Sequence, residues 1–319
     1  MAVILLALTP GLFETARAQQ ALKPVTVGLL NATPNGSIEK AVRKRLQELG
    51  YVEGKTVSVV ARYAGGDAQR LGELALELVR LKPDVILALG NQAAFAARKV
   101  TRTIPILVWG AHGAADTGLV ASLARPGGNV TGVESLAPEL DAKRMELLKE
   151  LVPSVRSAAA VYNAEDQGSE VHLKSMRAAG RALKIEVVPL EVRRQEDFVP
   201  MLAAAAQKTF EGLVLFSDQL TADGWSQVAE FAAKHRVATV CEFDFLAKAG
   251  CLVSYGPSRA EFTQRVLLQM ERILKGAKPA DLPMTQVTRF YLTVNLKTAK
   301  ALGIKLPESV LARADSIFE

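Results

Sequence analysis

From Val25 onward, short apolar runs alternate with stretches whose apolar residues recur every three or four positions, the signature of strands alternating with amphipathic helices. The first run covers 25–30. It leads into a segment with Ile38, Ala41, Val42, Leu46 and Leu49 on one helical face and Arg43, Lys44 and Glu48 on the other, closed by Gly50 where a left-handed C-cap is expected. Strands are then predicted over 56–61, 85–89 and 106–109, with a helix through Leu71, Leu74, Leu78 and Val79 and another over 91–99. The strands are continuously apolar rather than alternating, so both faces of their sheet must be covered. A Gly- and Pro-bearing stretch at 125–132 breaks the rhythm and is expected to carry the chain to a second lobe.

There the pattern restarts, with helices over 138–151, 169–183, 197–207 and 224–235 between strands at 158–162, 185–188, 213–216 and 237–241. A strand at 252–255, a long helix at 258–275 ended by Gly276, and a strand at 290–295 entering a last helix complete the chain. Two such halves make an α/β protein of two doubly wound parallel-sheet lobes. The length of 319 residues agrees, since a domain takes roughly 100–200 residues.

In open α/β sheets ligands sit beyond the carboxyl ends of the strands, where loops enter helix N-termini. Those positions are Asn31-Ala32, Tyr63, Gly90-Asn91-Gln92, Trp109-Gly110, Asn163, Asp218 and Glu242. Free backbone N–H groups at Gly90-Asn91-Gln92 suit a carboxylate or phosphate, with a plain cap by Asn91 as the competing role. Asp218 and Glu242 suit an ammonium or hydroxyl, or else a helix cap or a hinge hydrogen bond. Tyr63, Trp109 and Tyr255 can stack on a flat ligand or pack as core and rim.

The first residues add a compartment. An apolar run from Ala2 to Leu8, then Pro10-Gly11 and Ala16-Arg17-Ala18, has the form of an export signal cleaved after Ala18, although no Lys or Arg follows Met1. The net charge of +6 is scattered among acids without a basic run or interleaved aromatics, so a nucleic-acid partner is not expected. Cys241 and Cys251 have no His at ligand spacing, which argues against zinc and leaves a disulfide and two buried thiols both open. No metal and no cofactor is expected. The phosphate-loop, zinc-protease, nucleophile-elbow and dinucleotide motifs are absent, so an enzyme loses its usual entry points, and Ser37-Ile38-Glu39-Lys40 lacks the partner motifs of a serine acyl enzyme.

Several longer segments carry a resemblance: Gly50-Tyr51-Val52-Glu53-Gly54, the run from Gly118 to Leu123 with Arg125 to Gly132, Ser254-Tyr255-Gly256, Ile273 to Pro283, and Asn295 to Gly303. On these the chain resembles the ABC-transporter substrate-binding family that includes tryptophan- and tyrosine-type importers. The resemblance implies a type I periplasmic-binding fold with three crossings, a hinge, and an amino acid as a frequent cleft ligand. It places the first lobe at 24–134 and 254–283, and the second at 135–253 and 284–319. Departures fall near the cleft: Gly113-Ala114 replaces a usual Asp-Pro, Gly250-Cys251 a Gly-Gly, and Glu242-Phe243-Asp244-Phe245 a Tyr- and Arg-bearing stretch.

The resulting expectation is a monomeric periplasmic protein that closes on a small molecule and hands it to an inner-membrane ABC permease. An amino acid or small aromatic carboxylate is the preferred ligand, its anion at Asn91-Gln92 and its amine or hydroxyl at Asp218. A ligand-sensing regulator and a cleft enzyme share the scaffold. The first should carry a DNA-binding or signalling segment, and the second a cluster of acid-base groups.

Overall fold

The computed structural model describes residues 23–319 apart from Asn35, Ala68 and Ser217. The export segment read at 1–18 therefore lies outside the described residues. Strands β1 (Val25–Asn31), β2 (Val57–Tyr63), β3 (Val85–Leu89), β4 (Ile106–His112) and β5 (Val130–Ser135) alternate with helices α1 (Gly36–Glu48), α2 (Arg70–Arg80) and α3 (Gly90–Val100). The second lobe follows with α4 (Ala137–Leu151), β6 (Ser157–Asn163), α5 (Ser169–Leu183), β7 (Glu186–Val192) and α6 (Phe198–Ala205). Next come β8 (Gly212–Leu215), α7 (Gln219–Asp223), α8 (Trp225–His235), β9 (Ala238–Cys241), α9 (Asp244–Lys248) and β10 (Val253–Pro257). Helix α10 (Arg259–Leu274) and strand β11 (Thr285–Gln286) return to the first lobe, and β12 (Phe290–Asn295), α11 (Leu296–Leu302), α12 (Glu308–Arg313) and β13 (Ser316–Phe318) finish the second.

The first sheet runs β11-β5-β4-β3-β1-β2 and the second β13-β12-β10-β9-β8-β6-β7. Every pairing is parallel except β10 with β12, where the chain comes back from the first lobe. The apolar strands are covered on both faces. In the first lobe Phe262, Val266 and Met270 of α10 join Ile38, Val42 and Leu46 of α1 on one side, while Leu71, Leu74 and Leu78 of α2 pack on the other. In the second, Met145 and Leu148 of α4 with Leu173 and Met176 of α5 face Phe198, Trp225 and Val228 across the sheet.

Some expectations shift. Val130–Gly132, read as a linker, belongs to β5, because the loop before it ends at Asn129 and the apolar run Val130–Val133 pairs beside β4; the crossing comes after Ser135. Residues 254–257, placed in the first lobe, pair as β10 in the second sheet, and Thr285–Gln286, placed in the second, pair with β5 in the first. Cys241 and Cys251 form a disulfide between the end of β9 and the start of β10, with Cα atoms 6.5 Å apart.

Candidate functional site

A cavity of about 220 Å³ opens where the carboxyl ends of the two sheets face one another. That is many times the ~10–15 Å³ one water requires. From the first lobe Asn31-Ala32, Gly90-Asn91-Gln92 and Trp109-Gly110 line it, and from the second Asp218 does. All were expected there. The positive φ of Gly90 lets β3 turn straight into α3, so the first turn of that helix faces the gap.

Two of these side chains are already engaged. Asn91 donates to the carbonyl of His112 at 2.9 Å and accepts its N–H at 3.0 Å, which pins the end of β4, and its amide also donates to Asp166 across the seam. Asp218 caps α7: Oδ1 accepts from the Thr221 N–H and hydroxyl, each at 2.8 Å, and Oδ2 accepts from Asn163. Asn163 reaches only a narrow side pocket.

Three expected residues lie elsewhere. The Tyr63 hydroxyl donates to Glu39 at 2.7 Å on the outside of the first lobe, and burial, reinforced by that carboxylate, pushes it up to about 12. Tyr255 packs against Phe290 with ring centres 6.3 Å apart. Glu242 is sealed in the seam between lobes, accepts from Ser135 at 3.2 Å and faces Arg144 at 3.9 Å, while burial raises its pKa. The strand-end rule fails for Tyr63 because β2 is the edge strand of its sheet, for Tyr255 because it lies inside β10 rather than at its end, and for Glu242 because its side chain turns into the seam while the next residue, Phe243, reaches the gap.

Other groups on the cavity wall had no signal in the strand-end pattern. Arg259, the first residue of α10, lies between two rings, 5.3 Å from Trp109 and 5.1 Å from Phe245. Its guanidinium has no hydrogen bond or ion pair among the described residues, and burial lowers its pKa. Phe243, Phe245 and Phe262 complete an aromatic box whose centres are 5.9 to 6.4 Å apart, and Trp109 Nε1 donates to Thr263 at 3.1 Å to fix its ring. Asp166, in the loop from β6 to α5, accepts from the Gly168 N–H at 2.7 Å and from Asn91 at 3.5 Å. Burial, then repulsion from Asp218, pushes it up to about 7.

The lobes are closed on one another through a buried polar chain. His112 of β4 meets His172 of α5 at 2.8 Å, and His172 reaches Asp141 at 2.8 Å. Asp141 in turn accepts from Arg144 at 2.9 Å, and Arg144 donates to the Tyr255 carbonyl at 3.0 Å. Burial holds His112 neutral. For His172 burial opposes the charge, but Asp141 outweighs it and raises the pKa. The pair thus carries one proton more readily than two. Among the described residues no cluster of three His, Cys, Asp or Glu is placed to hold a metal ion, and no helix is long and apolar enough to cross a membrane.

An unpaired cation framed by rings, opposite carboxyls on a second lobe, describes a clamp for a small charged solute. The comparisons agree. The family model described as ABC transporter substrate binding protein matches residues 32–318. A tyrosine-binding protein of Clostridioides difficile is 24% identical over 286 residues, which is 89% of this chain and 82% of that one. A Streptococcus pneumonia ABC domain solved in complex with L-Trp superposes with a TM-score of 0.85 at 24% identity, over 93% of this chain and 100% of its own. A conserved domain protein from Vibrio cholerae gives 0.86 at 25%, over 92% and 100%. Two wound lobes with a charged, ring-lined gap between them and a family match over nearly the whole length lead to one assignment: the chain belongs to the ABC transporter substrate-binding protein family.

Proposed function

We propose that the protein is the periplasmic solute-binding component of an importer, closing on an aromatic amino acid or small aromatic carboxylate and catalysing nothing itself. One observation carries the reading: Arg259 stands in the cavity as a half-buried cation between Trp109 and Phe245, with no hydrogen bond or ion pair among the described residues. A charge partly removed from water in this way seeks a counter-ion, and a planar guanidinium offers a carboxylate two parallel donors. The N-terminal turn of α3 adds backbone N–H groups on the same lobe, and the rings of the box accept the flat part of the ligand. Relatives that bind tyrosine and tryptophan support this size and shape.

The two lobes divide at the three crossings, near Leu136, Ser258 and Thr288, so that closure is a rotation about that strip. A closed, loaded monomer is then the form an inner-membrane permease engages. A thermal-shift panel of aromatic amino acids, aromatic acids and sugars tests the reading. A true ligand at a hundred times its Kd should add ~2.7 kcal/mol of stability. Stabilisation by a sugar and by no aromatic acid would end it.

A further inference from the structure

The aromatic, Arg259-bearing wall suits an aromatic carboxylate and an aromatic amino acid equally; the opposite wall separates them. Asp166 and Asp218 both face the cavity from the second lobe, with Asp223 beside them, whereas Arg259 is the one Lys or Arg among the described lining residues. The oxygens of Asp218 are taken up by the cap of α7 and by Asn163. Asp166 differs. Its Oδ1 accepts from Gly168 and, across the seam, from Asn91, while its Oδ2 has no hydrogen-bond partner among the described residues. Resting on the clamp reading above, we infer that a protonated nitrogen of the ligand seats on Asp166 Oδ2, which makes Asp166 the residue that selects ammonium-bearing acids over acids that lack one.

The surroundings agree. Asp166 is faced by Asp218 from the start of α7, by His172 of α5, whose charge favours the carboxylate, and by Asn91 of α3, with the His112 ring held neutral behind that amide. Arg259 lies on the first-lobe wall, where it answers the ligand's carboxylate. Neutral donors such as Gly168, Asn91, Thr221 and Asn163 face the two carboxyls, and the cation that faces Asp166, His172, is bound to Asp141. A ligand ammonium supplies the missing charge. Because Asn91 holds the other oxygen from the opposite lobe, an occupied Asp166 also ties the lobes together.

The sign of the pH effect follows. With its empty-site value pushed up to about 7, Asp166 keeps a proton on the acid side of neutrality, and an ammonium seats only after that proton leaves. Affinity therefore rises with pH up to about 7.

The test is isothermal titration of the full chain with proteinogenic amino acids and their 2-deaminated counterparts, beginning with L-tryptophan against indole-3-propionate. The wild type and Asp166→Asn are compared. The wild type should prefer an amino acid to its deaminated partner by at least ~100-fold, since a site built around a polar contact rejects the analogue that lacks it. Asp166→Asn should reduce that preference to within ~5-fold and lose the ~tenfold weakening per pH unit below neutrality. A preference that survives in Asp166→Asn, or no preference in any pair for the wild type, overturns the inference. If only non-aromatic pairs bind and show the preference, Asp166 stands and the aromatic reading falls.

Discussion

Closure brings Gly168 of the second lobe hard against the first, and a single methyl there should act as a wedge. An added Cβ would lie 2.8 Å from the Asn91 amide nitrogen and 2.8 Å from the His112 Cβ, about 0.6 Å inside ordinary contact, and 3.0 Å from Oδ1 of Asp166 in its own lobe. Neither first-lobe neighbour can yield cheaply, because Asn91 is bonded to the His112 backbone in both directions and the His112 ring is tied to His172. The backbone at Gly168, with φ −77 and ψ −19, is one that alanine adopts freely. The larger part of the penalty of Gly168→Ala therefore falls on closing the lobes, and the lesser contact with Asp166 stays within the second lobe. Overpacking of this size costs ~1–3 kcal/mol, which corresponds to a Kd ~5- to 150-fold weaker. The ligand-free protein opens to relieve the contact, so its urea midpoint should hold or rise slightly, as alanine restricts the unfolded chain. Titration calorimetry for affinity and urea unfolding without ligand make the comparison. A Kd equal to wild type would refute the wedge, and an equal loss in both measurements would show a local defect within the second lobe instead.

Further outcomes follow from other contacts. Arg259→Met should hold or raise the ligand-free denaturation midpoint, because it removes a half-buried cation that has no ion pair among the described residues, while weakening ligand affinity by at least ~30-fold. Replacing Cys241 and Cys251 by alanine frees a loop with a sequence separation of 10, and chain-entropy reasoning puts the loss at ~2.5–3 kcal/mol by chemical denaturation. Glu134 is held at about 8 by burial despite accepting N–H bonds from Ala114 and Gly113, so the folded state binds its proton more tightly than the unfolded one. Its contribution to stability is present at low pH and is lost as pH rises toward about 8; Glu134→Gln should be flatter than wild type in urea midpoint over that window.

The architecture was legible because the strands are nearly uncut apolar runs, and only buried parallel strands have reason to be. The short elements were not. β11 holds two residues and α9 and α7 five each, too few to show a period; β11 is fixed by its pairing with β5 and α7 by the local cap of Asp218 on Thr221. The same division runs through the site. Gly90, Asn91, Trp109 and Gly110 follow from strand ends in the middle of a sheet, where the rule about carboxyl edges holds. Arg259 escaped because it starts a helix after a crossing, and which lobe that helix joins decides where its first side chain stands. Asp166 escaped because it lies past the end of β6, three residues beyond Asn163, in a loop whose path depends on Gly168. Tyr63 was misplaced for the opposite reason, since β2 is the edge strand of its sheet and ends on the outer surface.

Although Phe243 follows a strand of the second sheet, it packs into the core of the first beside Phe262, while Phe245, in α9, packs against the cores of both lobes. When the clamp opens, Trp109, Phe262 and Arg259 therefore travel together with the first lobe, the acidic wall leaves with the second, and Phe245 stands where the two cores meet. Arrival and departure of the solute are then governed by different halves of the molecule: encounter rate is set by the half that carries Trp109 and Arg259, and dwell time by how long the acidic half stays in place over it.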